Sequence, residues 1–221
     1  PPDVADKKTM GMSCLFQIRE TDHPVPYTPP AWAYKYESDE DLPYKDHRKK
    51  YNNNFWWIEV GGEWDCIHDS DRCREELLKI CYGVWDHIKN QGDHGMENWE
   101  LEWIGYLPGK RESRRYVGAY TMTEHDVRAG GDFADEVAYG GWPMDEHVAG
   151  GFEAKGINPS IVRNVDGLYP IPYGCFCSST VSNLMMAGRN ISASKLAMGS
   201  TRVMATCAVG GEAAGTAAAL A

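Results

Sequence analysis

The strongest candidate for proton-transfer chemistry is the stretch from residue 140 to 147, GGWPMDEH, which ends in two acids and a histidine. Histidine is the side chain most readily poised for proton transfer near neutral pH, so His147 is the candidate general base. Asp145 is the candidate to orient the His147 ring or to hold a sugar hydroxyl. The alternative is an ordinary histidine on a solvated loop. Trp142 either stacks on a ring-shaped ligand or, because Pro143 follows it, only fills space.

A basic run, Arg111-Glu112-Ser113-Arg114-Arg115, precedes a predicted strand over residues 115–123. A guanidinium is always charged and binds carboxylate or phosphate through two parallel hydrogen bonds. Either of the last two arginines is a candidate to position an anionic substrate or a cofactor, and Arg114 is the one we select. The alternative is a structural ion pair with Glu112 or another acid.

The spacing of the remaining cysteines and histidines gives little indication of a metal site. The candidates are Cys66, His68, Cys73, Cys81 and His87. The two cysteines of the predicted helix are eight residues apart and match no C-x₂-C knuckle, so we expect no metal.

Three further cysteines have two interpretations each. Cys175 and Cys177 would share one face of a strand, either as core packing or as a redox-active pair. Cys207 lies near the start of a predicted C-terminal helix, whose dipole would lower the pKa of its thiol, although close packing of small residues explains it equally well. The total of seven is odd and without repeated spacing, which predicts reduced thiols in a reducing compartment.

The C-terminal forty residues must position this chemistry. Residues 184–187 are a short apolar run that predicts a buried strand, which Gly188 would end. A polar loop is predicted over residues 192–200. From about Arg202 the chain is rich in alanine and predicts a helix, in which Gly211 and Gly215 share one face and suit close backbone packing.

The preceding sequence predicts a mixture of strands and helices. The clearest helix covers residues 69–91, where apolar residues recur at helical spacing. That stripe consists of Leu77, Cys81, Val84 and Ile88. Thr123 would cap a second, short helix that Gly130 ends. The predicted strands are residues 13–18, 55–60, 99–107 and 115–123, with an edge strand suggested by Trp32, Tyr34 and Tyr36.

Several of these segments together resemble one protein family. The motifs are NLMMAGRNISAS followed by GSTRVMATCAVGGEAAGTAAAL, and earlier FWWIEVGGEWDCIHD, YGVWDHIKN, PGKRESRRYVGAY and AYGGWPMDEH. Taken in their order along the chain, these motifs resemble the FAD-dependent oxidoreductases of the glutathione-reductase-like superfamily, over roughly residues 10–221. The resemblance implies an FAD cofactor and hydride transfer from a substrate to the flavin. A polar, sugar-like substrate is suggested separately by the eight Trp and twelve Tyr residues.

The resemblance also implies where the cofactor lies. It places Gly188, Arg189, Asn190 and Ile191 along the cofactor, and Arg202, Val203, Met204 and Ala205 at the pyrimidine edge of the flavin. The implied fold class is α/β with α+β character. A mixed-sheet substrate domain, residues 1–174, would be followed by the C-terminal strand and helix of a Rossmann-like FAD-binding domain, residues 175–221. We expect His147, Asp145 and Arg114 to serve this chemistry.

The N-terminal half of such an FAD-binding domain is missing from the sequence, since no G-x-G-x-x-G follows a strand. We therefore expect a C-terminal fragment, with the ADP-binding half in the same or another chain, and self-association through the surface that half would cover. The alternative is a cofactor-free remnant that acts as a binding or assembly module. A carbohydrate-binding module is a third interpretation, based only on aromatic content.

Composition limits the classes of partner. The 221 residues carry a formal net charge of −10, with a pI of about 5.1. An acidic surface argues against nucleic acid and anionic membranes, and no stretch predicts a transmembrane span. No signal-peptide pattern opens the chain, so a cytoplasmic location is expected.

Overall fold

The computed structural model describes residue 4 and residues 6–47, 55–91 and 94–221, and it contains nine strands and four α-helices in those ranges. The strands are β1 Met12–Ser13, β2 Phe16–Glu20, β3 Glu59–Val60, β4 Trp99–Ile104, β5 Gly109–Lys110, β6 Glu136–Gly140, β7 Met144–His147, β8 Ser160–Arg163 and β9 Tyr169–Pro172. The helices are α1 Ser70–Asp86, α2 Glu124–Ala129, α3 Lys195–Thr201 and α4 Met204–Leu220. Single 3₁₀ turns lie at Asp39–Asp41, Gly151–Glu153 and Tyr173–Cys175, and a π turn follows α1 at His87–Gln91.

The strands form several small sheets. One sheet has the order β3-β1-β5, and β2–β4, β6–β9 and β7–β8 form pairs. The pairings of β1 with β3 and β5, of β2 with β4 and of β6 with β9 are antiparallel. The protein is therefore of mixed α/β type as predicted, but small antiparallel sheets replace the single mixed sheet that the sequence suggested.

The chain divides into two compact units. The N-terminal unit consists of Asp6–Glu112 and His147–Pro159, and the C-terminal unit consists of Ser113–Glu146 and Ser160–Ala221. This division falls elsewhere than the predicted boundary between residues 174 and 175. The functional division into a substrate part and an FAD-binding part stays a prediction.

Helix α1 supplies one wall of the core of the N-terminal unit. Its predicted stripe is buried, with Leu77 and Ile88 each 1% exposed and Cys81 and Val84 fully buried, which confirms that prediction. Across the core, the rings of Phe16 and Phe55 stack with centroids 4.4 Å apart. Gly92, the residue after the predicted helix, lies outside the described residues.

Two of the predicted strands of this unit are shorter than expected. Phe55 has φ of +52°, a left-handed conformation that no strand contains, so only Glu59–Val60 of the run 55–60 is extended. The run 13–18 is split between β1 and β2. β4 confirms the strand that begins at Trp99, but no strand forms around Trp32, Tyr34 and Tyr36.

The C-terminal unit contains the capped short helix that the sequence predicts. The backbone N–H of Thr123 donates to Asp126 Oδ2 at 2.7 Å, and Gly130 ends α2 with φ of +59°. Residues 115–123 are not a strand: they make isolated bridges, Gly118 to Ser178 and Met122 to Ala193. The predicted strand through Cys175 and Cys177 is also wrong, because a 3₁₀ turn occupies Tyr173–Cys175.

The C-terminal segment differs from the sequence prediction at two places. Residues 184–187 make a single bridge, through Met185, instead of a strand. The predicted loop 192–200 contains most of α3, whose N-cap Ser194 accepts a hydrogen bond from the N–H of Ala197. Among the residues that the structure describes, no single helix is long and apolar enough to cross a membrane, although α3 and α4 together, bent by 92° between them, have the necessary length and composition.

Candidate functional site

The corner between α3 and α4 is built on a close approach of α3 to β7. A Cβ on Gly199 would lie 3.0 Å from the carbonyl oxygen of Asp145, so glycine allows the helix to pack directly on the strand backbone. One turn further, Arg202 Nη2 donates to Asp145 Oδ2 at 2.9 Å. Asp145 therefore holds the arginine at the corner.

Buried polar atoms remain available at this corner. Among the described residues, Arg202 Nε and Thr201 Oγ1 are buried and have no hydrogen-bond partner. A buried donor without a partner lowers stability by about 1–3 kcal/mol. Such atoms are therefore found where water or a ligand forms the missing hydrogen bond. The corner is thus chemically suited to a polar group that the protein itself does not supply.

The N-terminus of α4 is open. Val203 occupies the N-cap position with φ of −70° and ψ of 149°, but a valine side chain cannot accept a hydrogen bond from the first-turn N–H groups. Met204 is 89% exposed and Ala205 is also exposed. A helix of 17 residues concentrates positive partial charge at this end, which favours an electron-rich partner.

The turn at residues 188–191 carries Arg189, whose charge acts on Cys207 in the first turn of α4. Gly188 has φ of +99°, and the carbonyl of Asn190 accepts a hydrogen bond of 2.9 Å from the N–H of Tyr116. Ile191 is buried, whereas Arg189 is exposed. Burial raises the pKa of the Cys207 thiol in the first turn of α4, and the charge of Arg189 partly opposes that shift.

The charge of Arg189 links the two segments that the sequence assigned to the cofactor, because it acts on Cys207 in the first turn of α4. The expectation that the pKa of Cys207 is lowered is wrong, because burial raises it. Among the residues that the structure describes, a Cβ at Gly211 or Gly215 would meet nothing within 4 Å, so close packing at these two glycines is not observed there. The close approach occurs at Gly210, where a Cβ would lie 2.7 Å from the ring of Phe176.

His147 belongs to the N-terminal unit, where it meets a buried acid. Its Nδ1 lies 2.7 Å from Glu59 Oε2, and both side chains are almost fully buried. The β3–β1 pairing sets Glu59 opposite Ser13, and Arg111, which follows β5, donates to the Ser13 hydroxyl at 2.6 Å and also contacts Glu59. The N–H of Gly11 donates to the other oxygen of Glu59.

This cluster corrects two sequence-based expectations. His147 lies on β7 and is 5% exposed, so it is not a histidine on a solvated loop. The sequence selected Asp145 to orient its ring, but the carboxylate that contacts Nδ1 is that of Glu59. The sequence analysis missed Glu59, although an acid inside the apolar run FWWIEV is a signal, because a buried carboxylate requires a partner.

The basic run 111–115 is divided between different environments. Arg111 meets the buried acid, whereas Arg114 is exposed and is available to an anionic ligand. Arg115 Nη1 lies 3.4 Å from the sulfur of Met198. Of the cysteine and histidine candidates, burial raises the pKa of Cys73, and Cys81 donates to the carbonyl of Cys14.

A second cluster escaped the sequence analysis. His87 lies with His47, His94 and Asp39, whose ligand atoms all fall within 4.8 Å of one another. The four residues are spread over more than fifty positions, and no short motif links them.

Comparison with known proteins identifies the family. The family described as FAD dependent oxidoreductase matches residues 3–221, which is nearly the whole chain. Neither the curated proteins nor the solved structures contain a significant match.

The residues at the start of α4 fit FAD, the cofactor of this family. An uncapped helix end, the exposed Arg189 and the unsatisfied donor of Arg202 are groups that would bind an electron-rich ring edge or a polar chain. The match over residues 3–221 shows that the chain belongs to the FAD-dependent oxidoreductase family.

Proposed function

We propose that the protein oxidises a polar, sugar-like substrate by hydride transfer to FAD, with the pyrimidine edge of the flavin against the N-terminus of α4. The observation that carries this proposal is the open, exposed helix end beside Arg189. When bound, FAD accepts the hydride at its N5 atom. All other parts of the proposal concern what the residues of this chain do.

The start of α4 stabilises negative charge. Backbone N–H groups of Met204 and Ala205 would donate to the pyrimidine edge, and the helix dipole favours the negative charge that develops there. Val203 and Arg202 flank this edge. The turn from Gly188 to Ile191 would run along the ribityl chain, where only the backbone of a glycine with positive φ leaves room for close approach.

His147 is proposed as the base that takes the substrate proton. Because Nδ1 faces the carboxylate of Glu59, the neutral ring carries its proton on Nδ1, and Nε2 is the nitrogen that would take the substrate proton. Glu59 then stabilises the imidazolium that forms. Arg111 and the N–H of Gly11 hold Glu59 in place.

Substrate positioning is proposed for Arg114 and for exposed aromatic rings. The guanidinium of Arg114 is exposed and would bind an anionic group of the substrate. Trp142 and Tyr139 are 52% and 55% exposed and offer faces on which a sugar ring can stack. Asp145 acts indirectly, by holding Arg202.

The pyrophosphate of FAD requires a further cradle, which the sequence does not contain as G-x-G-x-x-G. We therefore include in the proposal an ADP-binding half supplied by the same polypeptide or by another chain. Two apolar side chains of α4 are largely exposed, Met204 to 89% and Leu220 to 84%. Their exposure supports the binding of a partner to this helix.

The test is a titration with FAD of the purified chain together with its ADP-binding half, followed by the fluorescence of the flavin. We expect saturable quenching, and flavin reduction when a sugar substrate is added without oxygen. In His147→Gln the reduction should slow by about 10²–10⁴-fold while flavin affinity is unchanged, because only the base is removed. Absence of flavin binding would refute the proposal and favour the cofactor-free binding module.

A further inference from the structure

Three histidines from separate parts of the N-terminal unit converge on one aspartate. Asp39 Oδ1 lies 3.0 Å from His47 Nε2, 3.1 Å from His87 Nε2 and 3.5 Å from His94 Nε2. The Nε2 atom of His87 is also 3.3 Å from that of His47 and 3.3 Å from that of His94. We propose that these four side chains form a binding site for one divalent transition-metal ion, with zinc preferred.

The separations match a tetrahedral ligand set. Zinc binds histidine nitrogen and carboxylate oxygen at about 2.0–2.2 Å, and in a tetrahedron the ligand atoms are then roughly 3.3–3.6 Å apart. Five of the six distances between the ligand atoms range from 3.0 to 3.5 Å, and all six are within 4.8 Å. The cluster is therefore of the size that a tetrahedral ion requires.

The orientation of the rings also favours a metal. The Nδ1 atoms of His47 and His87 lie 2.5 Å and 2.9 Å from the backbone carbonyls of Lys45 and Tyr36. A carbonyl only accepts, so each Nδ1 carries the proton and each neutral ring directs an Nε2 lone pair at the cluster. Metal-binding histidines in proteins typically have this second hydrogen bond.

Without a cation this arrangement is unfavourable. In this tautomer neither His47 nor His87 carries a proton on Nε2. The two Nε2 atoms therefore cannot form a hydrogen bond with each other, and neither can donate to Asp39. His47 and His87 are buried to 4% and 1% exposure, so water replaces few of the missing interactions. A protonated imidazole would also balance the charge of Asp39, and metal content and cobalt spectra distinguish that case from a metal.

The ligand types select the ion. Imidazole nitrogen suits zinc, copper, nickel and iron, whereas magnesium and calcium prefer oxygen ligands throughout. Three imidazoles and one carboxylate in tetrahedral arrangement are most consistent with zinc. Four protein ligands fill a tetrahedral shell, which is typical of a structural site.

The position in the fold explains what such a site would do. Between the end of β2 and residue 47 the chain contains only the 3₁₀ turn at Asp39–Asp41 as regular structure. The metal would bind this long segment, through Asp39 and His47, to the turn that follows α1 and to His94 ahead of β4. A cleft of about 400 Å³ reaches Asp39 and His47, which gives an ion a route of entry.

The first experiment measures metal content. The full chain, purified without a polyhistidine tag, is loaded with zinc, dialysed against a weak chelator and analysed by plasma mass spectrometry. We expect one zinc per chain in the wild type and in the control His125→Ala, whose ring is exposed. We expect none in His94→Gln and Asp39→Asn, since loss of a ligand should lower affinity by more than the roughly 10–100-fold typical of an outer-shell partner.

A second measurement on the wild type avoids dependence on variants that may not fold. Cobalt(II) added to the metal-free chain should give the strong visible absorption of tetrahedral coordination at one equivalent, and zinc should abolish it. The melting temperature should rise with zinc concentration. The proposal is overturned if the wild type retains no zinc, if cobalt shows only the weak spectrum of the hydrated ion, or if folded His94→Gln binds as the wild type does.

Discussion

Replacing Val203 by aspartate should strengthen helix α4 and weaken its interaction with reduced flavin at the same time. Val203 already has the extended backbone of an N-cap residue but cannot accept from the first-turn N–H groups. An aspartate there would cap the helix, worth about 1 kcal/mol, and would complement the dipole by about 0.5 kcal/mol. Loss of the partly buried valine surface offsets up to about 1 kcal/mol of this. The free energy of unfolding should therefore rise by roughly 0.5–1.5 kcal/mol.

Flavin binding should respond in the opposite direction. The carboxylate occupies the N–H groups and places a negative charge where reduced flavin is negative, which costs about 1 kcal/mol in the reduced state. Since about 1.4 kcal/mol corresponds to 30 mV for a two-electron couple, the reduction potential should fall by roughly 20 mV. Val203→Asn is the matched control, because it caps the helix without a charge and should lower the potential much less. Urea unfolding and an anaerobic potential titration measure the two effects. Equal potentials in wild type, Val203→Asp and Val203→Asn would refute the placement of flavin at α4.

Other predictions concern the core, the buried carboxylate of Glu59 and the stability of the protein at acid pH. Leu77→Ala should lower the free energy of unfolding by about 2–5 kcal/mol in a urea titration, because the side chain is 1% exposed beneath α1. Glu59→Ala should lower the free energy of unfolding by about 3–5 kcal/mol, because it removes the buried carboxylate that pairs with Arg111. The control Glu63→Ala, at an exposed position, should lower it little. A similarly small loss in both variants would contradict the buried ion pair. Backbone N–H groups of Ser38 and Glu37 lower the pKa of Asp41 below 3.8, so its contribution to stability is present above that pH and is lost as the pH falls through the native value. In Asp41→Asn the free energy of unfolding should accordingly fall less steeply as the pH is lowered in the acid range. An unchanged pH dependence would exclude Asp41 as a cause of the loss of stability in acid.

Helical periodicity and capping were predictable from local sequence, because both depend on residues a few positions apart. The stripe of α1 and the Thr123 cap of α2 were found in this way. The strand predictions were less accurate. An apolar run such as residues 55–60 does not reveal that Phe55 takes a left-handed conformation, which depends on packing against distant residues.

The sites show the same limit. The 188–191 turn and the start of α4 were assigned to the cofactor through family resemblance, and the charge of Arg189 in that turn acts on Cys207 in the first turn of α4. The partner of His147 could not be predicted, because Glu59 is 88 residues away and reaches it only through the β3–β1–β5 sheet. The histidine cluster was missed for the same reason, since its four members come from three separate segments that only the fold brings together.

The most direct test of the central claim is amide hydrogen exchange of the chain with and without FAD. Exchange should be slower at residues 188–191 and at residues 204–207 when FAD is bound, with little change along α1. Unchanged exchange in both segments under conditions where FAD is bound would show that the flavin lies elsewhere and would refute its placement at α4.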